Sequence, residues 1–209
     1  MAFAPPSCAL PSLGSVTPDE AVAPPEFQAA LTSLRGHRLR PELRLEEVPP
    51  PTRIAPYALA LTGEVNAEPR SMDPDALLGH GRFVVLHDPA GQEAWHGTFR
   101  VIVLAKAALE DEVGQDPLLG EVGWSWLTDS LAESGAGYHH LSGTVTRVLS
   151  ETFGGLELRS GEVEIEVRAS WTPTTTDLGP HLRAWADLTC TAAGLEPLPE
   201  NVASLHRRR

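Results

Sequence analysis

The sequence predicts an α+β domain, a mainly antiparallel sheet of about six strands with three helices packed on it. Three observations lead there. The run Glu162–Trp171 alternates cleanly: Val163, Ile165, Val167, Ala169 and Trp171 fall on one side, and Glu162, Glu164, Glu166, Arg168 and Ser170 on the other. That is a strand with one buried and one wetted face. Further on, Leu178, Leu182, Trp185, Leu188 and Ala192 share one stripe at a helical step of about 100° per residue. Finally, the helical signals stand before, between and after runs of strands.

In chain order, the first helix begins at Pro25, whose ring suits a first turn. Glu26 favours the positive end of the helix dipole and Gly36 ends the helix. Phe27, Ala30, Leu31 and Leu34 form its apolar stripe. Strands follow around Leu43 and Leu45, then from Tyr57 to Gly63, and Pro49–Pro51 between them forbids ladder pairing. Arg82–His87 and Trp95–Leu104 form a hairpin about the turn set Asp88–Glu93. Apolar residues on both faces of Phe83–Leu86 place that strand inside the sheet. Asp116-Pro117 reads as the start of a helix that reaches Leu131, weakened into two pieces by Gly120 and Gly123. Gly143–Ser150 and Glu162–Trp171 are the last strands. A helix from about Asp177, its N-cap, to Ala193 closes the chain, with Gly194 as its stop.

The chain of 209 residues is long enough for a sizeable core in one domain. That domain is expected over 25–203, between a disordered Pro/Ala-rich tail at 1–24 and a flexible basic tail at 204–209. The formal net charge of −12 argues against general affinity for nucleic acid or anionic membrane. No apolar run approaches the ~18 residues of a membrane span, and the N-terminus lacks a signal-peptide pattern, so a cytoplasmic location is expected. Cys8 and Cys190 are too few for a disulfide framework.

The strings LHDPAGQEAWHGTFRV, DPLLGEVGWSWL, SGTVTRVLSETFGG, EIEVRASWTP and HLRAWADLTCTAAGLEPLPENV together resemble an actinobacterial family known as domain of unknown function 3000. The likeness runs from about Pro25 to Val202. It implies a single domain in the cytoplasm and brings no assigned activity, cofactor or catalytic residue. Members often sit in the genome beside a ribonuclease D-like exonuclease, which is an association only.

The motifs of catalysis fail one by one. No Gly-x-Ser-x-Gly elbow, Walker loop or Gly-x-Gly-x-x-Gly follows a strand. Cys190 and His181 stand about 180° apart on the closing helix and cannot pair. His87 and His96 flank the hairpin loop and could approach each other near Asp88 or Glu93, but no metal-ligand spacing supports a site. His139 and His140 are neighbours whose side chains diverge if the backbone is extended. No cofactor or metal is expected. What remains is aromatic and basic. Trp124 and Trp126 lie about 200° apart on their helix, so one apolar stripe cannot hold both. With Trp95 they suggest a surface that recognises a protein partner or small ligand. Arg147, Arg168 and His181 could line a pocket for a small polar metabolite. Arg35, Arg38, Arg40 and Arg44 form the one internal basic cluster, a possible RNA or phosphate patch. The leading expectation is a non-enzymatic binding module. An enzyme on a small metabolite and an RNA-processing accessory are the alternatives.

Overall fold

The computed structural model describes residues 23–37, 39–68, 76–114, 116–150 and 162–196. The tails, Cys8 and Arg38 lie outside this set, apart from Ala23 and Pro24 at the edge of the N-terminal tail. Six strands make one antiparallel sheet: β1 (Leu43–Val48), β2 (Tyr57–Asn66), β3 (Leu77–Gln92), β4 (Gly97–Leu109), β5 (Tyr138–Ser150) and β6 (Glu162–Pro173). Their order across the sheet is β1-β2-β3-β4-β6-β5. The helices are α1 (Pro25–Ser33), the single turn α2 (Asp111–Gly114), α3 (Leu119–Glu133) and α4 (Gly179–Ala192). The α+β expectation holds.

Strand period decides what each face carries. Val163, Ile165, Val167, Ala169 and Trp171 of β6 are buried beside Val101, Val103, Ala105 and Ala107 of β4, on the side covered by the helices. The alternation read from the sequence thus names the correct face. α4 lies on this side with Leu178, Leu182, Trp185 and Leu188 fully buried. α1 meets its start: the Ser33 hydroxyl accepts a hydrogen bond from the Leu178 amide at 2.8 Å.

The sheet is recessed to admit Trp185. Gly63 and Gly81 face each other across β2 and β3, and the indole lies over both. A Cβ at Gly63 would come 2.8 Å from the ring, and one at Gly81 would come 3.0 Å from it. The indole Nε1–H then reaches across to donate to the Leu104 carbonyl at 2.9 Å. Only glycine leaves this room.

The opposite face carries a small second cluster. Ala60, Val84, Leu86 and Trp95 are buried there, with Val48, Ala55, Ala58 and Ile102 against them. This is why the Phe83–Leu86 strand is apolar on both faces. Helix starts differ from expectation. α3 begins at Leu119 rather than Asp116, whose side chain instead accepts from the Leu118 amide at 2.8 Å in a turn. α4 begins at Gly179, after an equivalent contact from Gly179 to Asp177 at 3.2 Å. Short acceptor side chains hold turns just ahead of a helix as readily as they cap it.

Candidate anion-binding site

The site lies at one end of the sheet, where β4 starts, β6 ends and β5 begins. Its base is Arg100 of β4. Apolar neighbours surround it in the chain, Phe99 and Val101 on the helix side and Ile102 beyond. Arg100 is only 8% exposed. Its guanidinium donates to the His140 carbonyl at 3.1 Å, the Thr172 hydroxyl at 3.2 Å, the Ser170 hydroxyl at 2.7 Å, the Ser170 carbonyl at 3.2 Å and the Ser142 hydroxyl at 3.4 Å. Each of these acceptors is neutral. Among the described residues no carboxylate forms an ion pair with it. Burial draws its pKa below the ordinary arginine value, but a guanidinium still keeps its charge at neutral pH. A buried cation without a counter-charge is costly, and the hydrogen bonds satisfy its protons without cancelling its field.

Above Arg100 stand three histidines. His96 ends the 3-10 turn Glu93–Trp95, and His140 lies in a bulge where β5 takes three steps, His139 to Ser142, against two of β6. Their φ angles are +53° and +51°, and they are the two non-glycine residues with positive φ among those described. Their rings stack on each other, with centroids 4.0 Å apart and planes 12° apart. His139 Nδ1 lies 2.6 Å from His140 Nδ1. The expectation that these neighbours diverge is therefore wrong. It assumed extended backbone, and the left-handed conformation at His140 turns the second ring back onto the first. Desolvation holds the His140 pKa below its ordinary value, and repulsion by His96, His139 and Arg100 adds to it.

Left-handed backbone at a non-glycine residue costs about 1 kcal/mol or more and persists where its surroundings impose it, often at functional sites. His96→Gly and His140→Gly are accordingly expected to leave stability unchanged or raise it by up to ~1 kcal/mol, as read from urea midpoints. A clear loss would mean that the stacked rings serve the fold.

A groove of about 460 Å³ opens beside the cluster, lined by His139, Thr172 and Glu26 together with Gly97–Phe99 and Pro173–Thr176. Thr172 joins the two features. Its hydroxyl accepts from Arg100 and donates to the Trp95 carbonyl. Among the described residues no three histidine, cysteine, aspartate or glutamate side chains are placed to hold a metal ion.

The sequence profile of a family described as protein of unknown function (DUF3000) matches residues 23–203. The chain belongs to DUF3000. The match spans the whole described fold, so the histidines and Arg100 are part of the DUF3000 domain and not an appendage. No curated protein and no solved structure matches it.

The residues singled out in the sequence of this DUF3000 chain are scattered. Trp95 is 8% exposed, in the second cluster, so it offers no binding surface; its place in a 3-10 turn folds it back onto the sheet. Trp126 is half-buried against the main core. Trp124 is half-buried and lines a shallow cleft with Gly143 and Val145 at edge strand β5. Arg147 ties the end of α2 and the link after it to β5, donating to the Gly114 and Asp116 carbonyls at 3.3 and 3.0 Å. Arg168 sits on the other face, exposed, 2.6 Å from Glu166. His181 is 1% exposed in the helix-side core and accepts from Trp171 Nε1 at 3.0 Å. These three do not converge. The acidic face is partly neutralised, since Lys106 pairs with Glu164 at 2.8 Å. In the basic cluster Arg40 pairs with Glu42 at 3.5 Å and Arg44 with Glu64 at 3.1 Å, while Arg35 is exposed. His87 is buried among Phe27, Tyr57 and Phe99, so it and His96 keep separate company. Burial pushes the Cys190 thiol up to about 12, which removes it as a nucleophile.

Arg100 was open to discovery from the sequence. A lone arginine inside Phe99–Leu104, a run apolar on both faces, is a cation that the fold must bury or expose at cost. The αL histidines had no comparable local signal.

Proposed function

We propose that this domain is a non-enzymatic binding module for a small anionic ligand, seated on His96, His139 and His140 above Arg100. One observation carries the reading: a buried arginine whose five hydrogen bonds all go to neutral groups. Its uncancelled charge supplies a standing attraction for an anion at the histidine surface, stronger than in water because the site is partly desolvated. The hydroxyls of Ser142, Ser170 and Thr172 keep the guanidinium fixed, so binding needs little reorganisation. We place the module in the cytoplasm, consistent with Cys190 being a free thiol.

The test is calorimetric titration with sulfate, phosphate and acetate at low ionic strength. At least one should bind, with affinity falling as salt rises. Arg100→Gln keeps hydrogen bonding but removes the charge, and should weaken binding at least ~10-fold. Equal affinity in a folded Arg100→Gln variant would remove the basis of the reading.

A second reading, an enzyme acting on a small polar metabolite, draws on the His139–His140 contact, because two imidazoles sharing a proton can serve acid–base chemistry. Release of inorganic phosphate from a phosphomonoester during long incubation, lost in His139→Asn, would favour it.

A further inference from the structure

We propose that β5 is a dimer edge. It pairs antiparallel with the β5 of a second copy of this chain about a twofold axis at Thr146, which joins two six-stranded sheets into one. The inference stands apart from the anion site.

The sheet has two edge strands, and they are built differently. β1 is six residues long, carries Arg44, Glu46 and Glu47, and runs into Pro49–Pro51. Shortness, charge and proline guard an edge against a further strand. β5 has none of these guards. It is 13 residues long, and from Ser142 to Ser150 its one charged residue is Arg147. That guanidinium is turned through Nη1 onto the Gly114 and Asp116 carbonyls. The other residues of this stretch are glycine, serine, threonine, valine and leucine, and its valines and threonines favour a strand.

Exposed apolar side chains gather at the same place. Val148 and Leu149 lie on the strand. Val113, Leu118 and Val122 lie on the α2–α3 segment that Arg147 ties to it. Leu149 is 60% exposed, the most of any large hydrophobic residue among those described.

Faces and fit set the register. Residues directly opposite in an antiparallel pair point to the same face, so the axis must pass through a residue and not between two. Gly143, Val145, Arg147 and Leu149 share the helix side. There the Trp124 ring lies over Gly143 and lines a cleft with Gly120, Glu121 and Val145. An axis at Thr146 sets Leu149 of one copy opposite Gly143 of the other, each three residues from the axis. The exposed leucine then packs against the open side of the Trp124 cleft. Arg147 comes opposite Val145, next to Glu121 on the cleft wall. Among the described residues Arg147 forms no ion pair within its own copy, so this brings complementary charge to the seam. On the other face Thr146 meets its own counterpart and exposed Val148 meets Thr144, β-branched pairs that suit a ladder. An axis at Arg147 would set two arginines face to face. An axis at Val145 would set Leu149 against Leu141, inside the bulge where the ladder breaks.

The experiment is sedimentation equilibrium of the full chain, with Cys8→Ser in every variant so that buried Cys190 is the one remaining native thiol. The mass should approach twice that of the monomer at ~100 μM chain. Leu149→Lys should weaken association at least ~10-fold. Ile54→Lys, the same change at an exposed site on the far side of the sheet, should leave it unchanged. Thr146→Cys should form a disulfide between copies under mild oxidation, because opposed Cα atoms about 4.5–5.5 Å apart lie within disulfide reach. Thr144→Cys, opposed by Val148, should form far less. These cysteine variants carry the test if Leu149→Lys does not show a native circular dichroism spectrum. A chain that stays monomeric at ~100 μM overturns the inference and leaves the edge to an extended segment of another protein. A dimer that neither weakens in Leu149→Lys nor cross-links at position 146 overturns it as well.

Discussion

Trp185→Ala is expected to cost about 3–5 kcal/mol of stability, the range for emptying a large buried aromatic site. The indole is fully buried and occupies a recess cut for it by Gly63 and Gly81. Removing it leaves a void that the β-strands cannot close without breaking their ladder. It also leaves the Leu104 carbonyl without its Nε1–H donor. Urea denaturation should show the midpoint falling at nearly constant slope. A cost below ~1.5 kcal/mol would mean that the recess collapses. Gly63→Ala gives the complementary reading. Its new methyl meets the Trp185 ring at 2.8 Å and a Leu43 methyl at 2.9 Å, both of them side chains. Part of its penalty should therefore vanish when Trp185 is already leucine, so the pair is expected to be non-additive.

Acid should weaken the fold well above the carboxylate range. Burial pushes His181 down from 6.5 to about 4, against a smaller opposing pull from Asp177. The neutral ring is the one the core requires, because its Nδ1 lone pair accepts the Trp171 indole proton. Unfolding frees the imidazole to take up a proton below pH 6.5, while the folded ring resists until about 4. Its contribution to stability is thus complete above pH 6.5 and is lost as the pH falls toward 4. At ~1.4 kcal/mol per pH unit, the drop from 6.5 to about 4 is worth about 3 kcal/mol. His87, also lowered by burial, acts in the same direction. Urea midpoints measured from pH 7 to pH 4 should fall steeply. His181→Gln, whose carbonyl can still accept from Trp171 and does not titrate, should flatten that fall. An unchanged slope in a folded variant would assign the acid sensitivity elsewhere.

The core was legible in the sequence because it is built from periodic elements. β6 announces its buried face by alternation from Val163 to Trp171, and α4 by the stripe from Leu178 to Ala192, so both could be assigned without their neighbours. The candidate site was much less legible. Arg100 stands out as a cation in an apolar run, but its burial comes from acceptors that other strands bring around it, His140 and Ser142 of β5 and Ser170 and Thr172 of β6. The sequence sends His139 and His140 apart because the bulge that joins them is set by register against β6, a pairing with residues some thirty positions away. His96 meets His140 from another loop, and no pattern within either segment encodes that meeting. The sequence-derived pocket of His181, Arg147 and Arg168 failed for a related reason. A sheet separates residues by face, and α4 and β6 carry His181 and Arg168 to opposite sides.

The two left-handed histidines bear on how this protein would evolve under heat. Selection for thermal tolerance alone rewards any change that relaxes a strained backbone, and positions 96 and 140 are where such relaxation is available among the described non-glycine residues. Laboratory lineages propagated for heat resistance without a demand on ligand capture should drift toward glycine or asparagine there, and should discard the proposed anion cap while the sheet beneath grows sturdier.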